Sequence, residues 1–154
     1  MTPDPAPSPA CDPVADAVAR VVQWFETLQP STLGQLADCY DPQARFKDPF
    51  NDVVGLAAIE RIFRHMFDTL EAPRFVVTGQ VVQGQQCFLT WDFHFRFRSM
   101  RRGQDQCIRG ASHLVISQTG LITLHRDYWD AAEELYEKLP VVGSLMRWLK
   151  KQAG

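Results

Sequence analysis

The spacing of apolar residues changes once along the chain, from a helical repeat to the alternation of strands. In the first half, apolar side chains recur every three or four positions, as on one face of a helix. This spacing predicts helices over residues 14–28 and 56–70. Between them, Ser31 is predicted to cap a short helix that extends to Tyr40, and residues 51–55 are predicted to form a loop.

In the second half, apolar and polar residues alternate, which predicts strands. Glycines in turn-like positions separate four predicted strands, which cover 74–82, 86–98, 105–117 and 121–130. The second of these strands alternates most regularly. We expect its apolar row to face the interior; the row consists of Leu89, Trp91, Phe93, Phe95 and Phe97. We expect the opposite row to face water or a second subunit; it consists of Thr90, Asp92, His94, Arg96 and Arg98.

Helices followed by an antiparallel sheet predict one α+β domain over residues 14–139. If this mostly antiparallel sheet is strongly curved, the N-terminal helices that pack on it give a cone-shaped fold that encloses a pocket. The Pro-rich residues 1–13 are predicted to form a disordered leader, either a solvated tail or an arm that binds a partner. Residues 131–139 are predicted to be helical.

Residues 140–154 carry a predicted basic amphipathic helix. Such a helix either covers an open end of the pocket, extends a dimer contact or lies on a membrane. Its short length favours the first two roles over membrane contact.

Composition and charge narrow the functional classes. The net charge of −2 provides no strong field for nucleic acid or anionic membranes, and no apolar run approaches the roughly 20 residues of a membrane span. The four cysteines are widely spaced, so they predict neither a zinc site nor a disulfide framework. We therefore expect a soluble cytoplasmic protein with reduced thiols, no metal and no organic cofactor.

A short strand that ends at Asp48 joins the helical half to the sheet. Pro49 cannot donate to a ladder and favours an extended residue before it, so Asp48 is predicted to stand at the strand end. It lies between Phe46 and Phe50, and apolar surroundings make a carboxylate a better general base. Alternatively, Asp48 accepts backbone N–H bonds from the following loop. The two roles are compatible.

Four segments resemble the superfamily that holds nuclear transport factor 2, the ketosteroid isomerases, the polyketide cyclases and limonene epoxide hydrolase. They are VVQWF at 21–25, ARFKDP at 44–49, GLAAIERIF at 55–63 and GLITLHRDYWD at 120–130. The resemblance implies the cone-shaped fold and places Asp48 at the position of the isomerases' general base. It also places Phe25 and Ser112 where those enzymes stabilise an enolate with a tyrosine and a protonated aspartate. Phenylalanine donates no hydrogen bond and serine donates a weaker one, so efficient ketosteroid isomerase activity is not expected.

The last strand supplies a second set of polar residues. By alternation, His125, Asp127 and Trp129 share a face, which the resemblance turns towards the pocket. Asp127 matches a catalytic aspartate of limonene epoxide hydrolase. The positions of that enzyme's other aspartate and its arginine fall in the aromatic row of the second strand. A bulge in that strand would instead turn His94 or Arg96 inwards.

Asp48, His125 and Asp127 are therefore predicted to form an acid–base cluster in an aromatic pocket. Alternatively, His125 only satisfies a buried aspartate. The predicted ligand contacts are Phe25, Phe46, Trp91, Phe93, Ser112 and Trp129.

These residues predict an isomerase-, cyclase- or hydrolase-like enzyme for a hydrophobic steroid, terpene or polyketide. A non-catalytic module that binds a hydrophobic ligand or a protein partner is the alternative, and a homodimer through the sheet face is predicted in either case.

Overall fold

The computed structural model describes residues 12–98 and 103–134. Its helices are α1 (Pro13–Glu26), α2 (Leu36–Cys39), α3 (Leu56–Thr69) and α4 (Ala131–Glu134), with a 3₁₀ helix at Pro30–Gln35. Its strands are β1 (Tyr40–Lys47), β2 (Asp52–Val54), β3 (Leu70–Gln83), β4 (Gln86–Phe97), β5 (Gln106–Ile116) and β6 (Ile122–Tyr128).

The six strands form one sheet in the order β2-β1-β6-β5-β4-β3, and it is not closed. Only β1 and β6 pair in parallel within this sheet; the other neighbours are antiparallel. Helices α1 and α3 pack against the same sheet. The predicted α+β class, with helices on a mostly antiparallel sheet, is confirmed.

Helix α1 shows how local sequence and packing cooperate. The Asp12 side chain accepts a hydrogen bond from the Val14 N–H at 3.0 Å, and Pro13 occupies the first turn, where a missing N–H costs nothing. The apolar stripe that follows is buried against the sheet. Its most buried members are Ala17, Val18, Val21, Trp24 and Phe25.

The aromatic row of β4 faces inwards, as predicted. Trp91, Phe93 and Phe95 are buried, whereas the alternate residues are half-buried or exposed on the outer face. Pairing of β4 with β5 runs without a register shift. His94 and Arg96 therefore stay on the outer face, so the alternative in which a bulge turns them inwards is wrong. The homodimer through this outer face stays a prediction.

Three local predictions are wrong. Gln29, not Ser31, precedes the short helical segment, and Tyr40 begins β1 instead of ending a helix. Part of the predicted loop at 51–55 forms β2, because it folds back antiparallel on β1. Helix α3 ends at Thr69, one residue before its predicted end, but β3 begins at Leu70 rather than at residue 74, so Pro73 lies within the strand.

Pro73 is tolerated in β3 because this strand lies at the sheet edge and its register with β4 shifts there. The predicted leader lies outside the described residues, except for Asp12 and Pro13. The C-terminal helix of 140–154 also lies outside them, as does the predicted helix beyond Glu134. Among the described helices, none has the length and apolar character needed to cross a membrane.

Candidate active site

A cavity of about 470 Å³ lies between α3 and the inner face of the sheet. Its lining is mainly aromatic and aliphatic, with Phe46 from β1, Phe93 from β4 and Met66 from α3 among its members. Two carboxylates, Asp48 and Asp127, also line it. Apolar walls with a few polar groups are typical of a small-molecule site.

Asp127 on β6 is held by two neighbouring side chains. His125 Nε2 lies 2.7 Å from Asp127 Oδ1, and the Ser112 hydroxyl donates to the same oxygen at 2.5 Å. Antiparallel pairing of β5 with β6 places Ser112 directly opposite Asp127. His125 is two residues before Asp127, so the two side chains share a face of β6. The carboxylate is thereby fixed in one orientation.

Tyr40 extends this network by a contact with the other ring nitrogen of His125. Its hydroxyl lies 2.6 Å from His125 Nδ1, and both side chains are buried. Burial, followed by the negative charge of Asp127, raises the pKa of Tyr40 well above its ordinary value. Tyr40 therefore stays protonated. A carboxylate can only accept hydrogen bonds, so His125 Nε2 donates to Asp127, and Nδ1 of that tautomer accepts from the Tyr40 hydroxyl.

A chain of two hydrogen bonds connects Trp91, through Ser112, to the same carboxylate. The Trp91 indole N–H donates to Ser112 Oγ at 2.9 Å, which leaves the Ser112 hydroxyl proton for Asp127 Oδ1. Within residues 12–98 and 103–134, Asp127 Oδ2 accepts no hydrogen bond. Among the described residues, one oxygen of the carboxylate is thus anchored, and the other has no hydrogen-bond partner.

The comparisons with known proteins agree with this architecture. The SnoaL-like domain model matches residues 21–125, more than half of the chain. The chain belongs to the SnoaL-like domain family. A search of the curated proteins finds no match.

Solved structures with the same fold include two whose descriptions name different activities and one described by its fold. The chain aligns with a protein of Jannaschia sp. CCS1 described as a SnoaL-like polyketide cyclase (14% identity, TM-score 0.68, 84% of this chain and 94% of that one). An LEH-like epoxide hydrolase of M. tuberculosis aligns with 14% identity and a TM-score of 0.65 over 79% and 87% of the chains. A ketosteroid isomerase-like protein of Catenulispora acidiphila, solved with trimethylamine, has 15% identity and a TM-score of 0.65 over 78% and 89%. At these identities the likeness shows the fold alone.

In this SnoaL-like domain, Asp48 is bound within its own loop. Its Oδ1 accepts the backbone N–H groups of Phe50 at 2.7 Å and Asn51 at 2.6 Å. The Asn51 side-chain amide contacts Oδ1 at 3.0 Å and Oδ2 at 2.9 Å. These bonds match the loop-binding alternative. Asp48 lines the cavity without a hydrogen bond to His125 or Asp127, and its role as general base stays a prediction.

The other predicted site residues fall into two groups. Phe46, Trp91, Phe93 and Trp129 line the main cavity. The remaining three line an adjacent void of about 20 Å³, which also touches Trp91 and Asp127; they are Phe25, Ser112 and His125.

Sequence reasoning missed Tyr40, because the helical spacing around it predicted a helix end. It also missed the cavity-lining face of α3, although the apolar stripe of that helix marks those residues.

Tyr40→Phe is expected to lower the free energy of unfolding by about 1–2 kcal/mol, because it leaves the buried His125 Nδ1 without its donor. The raised pKa also predicts an effect of pH. Neutral Tyr40 contributes stability that is fully present below pH 10.0 and is lost as pH rises above this value, since the unfolded chain ionises first. In urea unfolding measured from pH 8 upwards, the free energy of unfolding should fall less steeply with pH in the variant than in wild type. The exposed Tyr128→Phe is the control, and equal alkaline slopes in Tyr40→Phe and wild type would contradict the assignment.

Asp48→Asn is expected to lower the unfolding free energy by about 1 kcal/mol. The asparagine keeps one acceptor oxygen for the loop, but its amide then faces the Asn51 amide, a donor. Chemical denaturation measures the change. Asp105→Asn replaces an exposed aspartate and should have no effect. An equally stable Asp48→Asn protein would show that the contact between Asp48 Oδ2 and the Asn51 amide does not stabilise the loop.

Proposed function

We propose that this SnoaL-like domain is an acid–base enzyme that abstracts a proton from a carbon atom of a hydrophobic, aromatic substrate, with Asp127 as the general base. One observation carries the proposal. Asp127 lines an aromatic cavity with Oδ1 anchored by Ser112 and His125 and with Oδ2 outside the described hydrogen-bond network.

The anchoring favours Asp127 over Asp48 as the base. A proton taken up on Asp127 Oδ2 leaves both hydrogen bonds at Oδ1 in place, so the surrounding groups need not reorganise. A proton on Asp48 Oδ2 would face the Asn51 amide, and a proton on Oδ1 would face two backbone N–H groups. Protonation of Asp48 therefore disrupts its loop, whereas protonation of Asp127 does not.

The donors around Asp127 indicate the chemical class of the substrate. Ser112 donates to Asp127 itself, Trp91 donates to Ser112, and the side chain of Phe25 has no donor. No donor of this group remains to stabilise an oxyanion. We infer that the substrate stabilises its own carbanion, as a C–H group between a carbonyl and an aromatic ring does by delocalisation.

The shape of the cavity suits flat rings. The rings of Phe75 and Phe93 stack at a centroid distance of 4.4 Å, and those of Phe93 and Phe95 at 5.1 Å. These side chains line one wall of the cavity, where an aromatic substrate would find offset stacking partners. A protein with the same fold is described as a polyketide cyclase, and we extend that kind of substrate to this chain as part of the proposal.

Exchange of carbon-bound hydrogen tests the proposal with a defined probe, 2-tetralone, whose C1 hydrogens lie between its carbonyl and its aromatic ring. Asp127 takes a C1 proton and becomes a carboxylic acid, while the ketone becomes a delocalised enolate. After exchange with D₂O, the acid returns a deuteron to C1. We expect the protein to accelerate deuterium incorporation, measured by mass spectrometry. Hydrolysis of limonene epoxide without exchange of 2-tetralone would instead indicate activation of water.

A non-catalytic module for a hydrophobic ligand is the second candidate. The observation that favours it is that, within the described ranges, the Ser112 and Trp91 donors beside Asp127 are already committed. Thermal shift separates the two candidates. If 2-tetralone or 2-naphthol raises the melting temperature and no exchange or hydrolysis occurs, the cavity binds ligands without performing this chemistry.

A further inference from the structure

A second cluster of polar side chains lies on the outer face of the sheet, away from the cavity. Asp92 and His94 project from β4, and Cys107 projects from β5. His94 and Cys107 are direct partners in the antiparallel register, and Asp92 is two residues before His94 on the same face. One ligand atom from each of the three residues lies within 4.8 Å of the others, and all three side chains are half-buried.

We propose that Asp92, His94 and Cys107 bind a divalent transition metal ion, with Zn²⁺ the best fit. Thiolate sulfur, imidazole nitrogen and carboxylate oxygen are the three ligand types that zinc accepts. Hard cations such as Mg²⁺ and Ca²⁺ instead require oxygen ligands, so this mixed set disfavours them. Three protein ligands leave one tetrahedral position for water.

The position of the cluster in the sheet favours metal binding. Strands β4 and β5 are interior strands and pair without a shift in register, so the backbone holds the three residues at a fixed spacing. Neither Asp92 nor His94 forms a side-chain hydrogen bond within the described part of the chain. Half-buried polar groups without such partners gain from a shared ligand.

Neighbouring positive charges oppose the ion and limit its affinity. Arg109 is the register partner of Asp92, Arg74 is that of His94, and Arg96 follows on the same face of β4. We therefore expect weaker binding than at a zinc site made of four cysteines. The site is separate from the proposed reaction, because the alternation of β4 places Trp91 and Phe93 on the cavity side and Asp92 and His94 on the other.

The linear spacing of the ligands explains why sequence analysis predicted no zinc site. Cys107 is far from His94 in the sequence, and no Cys-x-x-Cys or paired-histidine motif marks the site. The Asp-x-His spacing on one strand face was the available signal. Only the register between β4 and β5 adds the third ligand.

Titration of the metal-free full-length protein with Co²⁺ tests the proposal, because a cobalt–thiolate bond gives a charge-transfer absorption band. We expect one equivalent to produce the band and Zn²⁺ to abolish it by displacement. Cys107→Ser should lose the band. His94→Gln and Asp92→Asn should weaken binding by at least about tenfold.

His113→Gln and Cys11→Ser are the matched controls, and both should bind as wild type does. The proposal is overturned if wild type gives no band, if Cys107→Ser keeps it or if Cys11→Ser removes it. Protection of wild-type thiols provides a second measurement that needs no variant. Zn²⁺ should slow alkylation of Cys107 by iodoacetamide, as located by peptide mass spectrometry, and an unchanged rate at Cys107 would also overturn the proposal.

Discussion

Asp127→Asn is expected to lower kcat/KM for deuterium exchange into 2-tetralone by at least about 100-fold. An amide cannot accept the substrate proton at neutral pH. The substitution nevertheless keeps the size of the side chain, and its amide oxygen can still accept from Ser112 and His125. We therefore expect the loss of activity without loss of the fold, measured by initial exchange rates and by circular dichroism.

Asp105→Asn is a matched control for this variant, because the Asp105 side chain is 92% exposed and lies outside both the cavity and the hydrogen-bond network of Asp127. It should exchange 2-tetralone at the wild-type rate. If Asp127→Asn is folded and retains more than about a tenth of the wild-type kcat/KM, Asp127 is not the general base, since general-base catalysis contributes more than this.

Gly110→Ala is expected to lower the free energy of unfolding by about 2–3 kcal/mol. A Cβ at residue 110 would lie 2.8 Å or less from three ring carbons of Trp91. Trp91 cannot easily move, because it is buried, donates to Ser112 and packs edge-on against Phe75. The glycine is required for this close approach of ring and backbone.

The same substitution should also reduce exchange activity, because a displaced Trp91 no longer donates to Ser112 beside Asp127. Gly34→Ala is the control for stability, since its Cβ would meet no atom within 4 Å. The double variant Gly110→Ala/Trp91→Phe should lose less unfolding free energy than the two single variants lose together. The smaller phenylalanine ring leaves room for the methyl group of the alanine. Strictly additive urea-unfolding energies would contradict the proposed contact.

The fold was predictable where one physical pattern dominated. Alternation in β4 assigned Trp91 and Phe93 to the interior, and the helical stripe of α1 assigned Val21 and Phe25 to the core. Tyr40 was not predictable in this way. Its spacing from earlier apolar residues favours a helix, whereas its pairing with β6 places it in a strand. That pairing joins distant parts of the chain.

The candidate site was predictable in its residue types but not in its pairings. The sequence marks Asp48 as a candidate because it precedes a proline and lies between two phenylalanines. Its hydrogen bonds, however, are local ones to Phe50 and Asn51. Asp127 owes its environment to Ser112 on the neighbouring strand and to Tyr40, 87 positions earlier in the chain. Such partners depend on strand register, which a single sequence does not specify.

The most direct test of the account compares the exchange rates of Asp127→Asn and Asp48→Asn with 2-tetralone in the same experiment, at a temperature where both variants are folded. We predict that Asp127→Asn loses nearly all exchange, whereas Asp48→Asn keeps a rate within about tenfold of wild type, because it perturbs a loop rather than the base. The reverse order, with exchange lost in Asp48→Asn and retained in Asp127→Asn, would contradict the assignment of Asp127 as the general base.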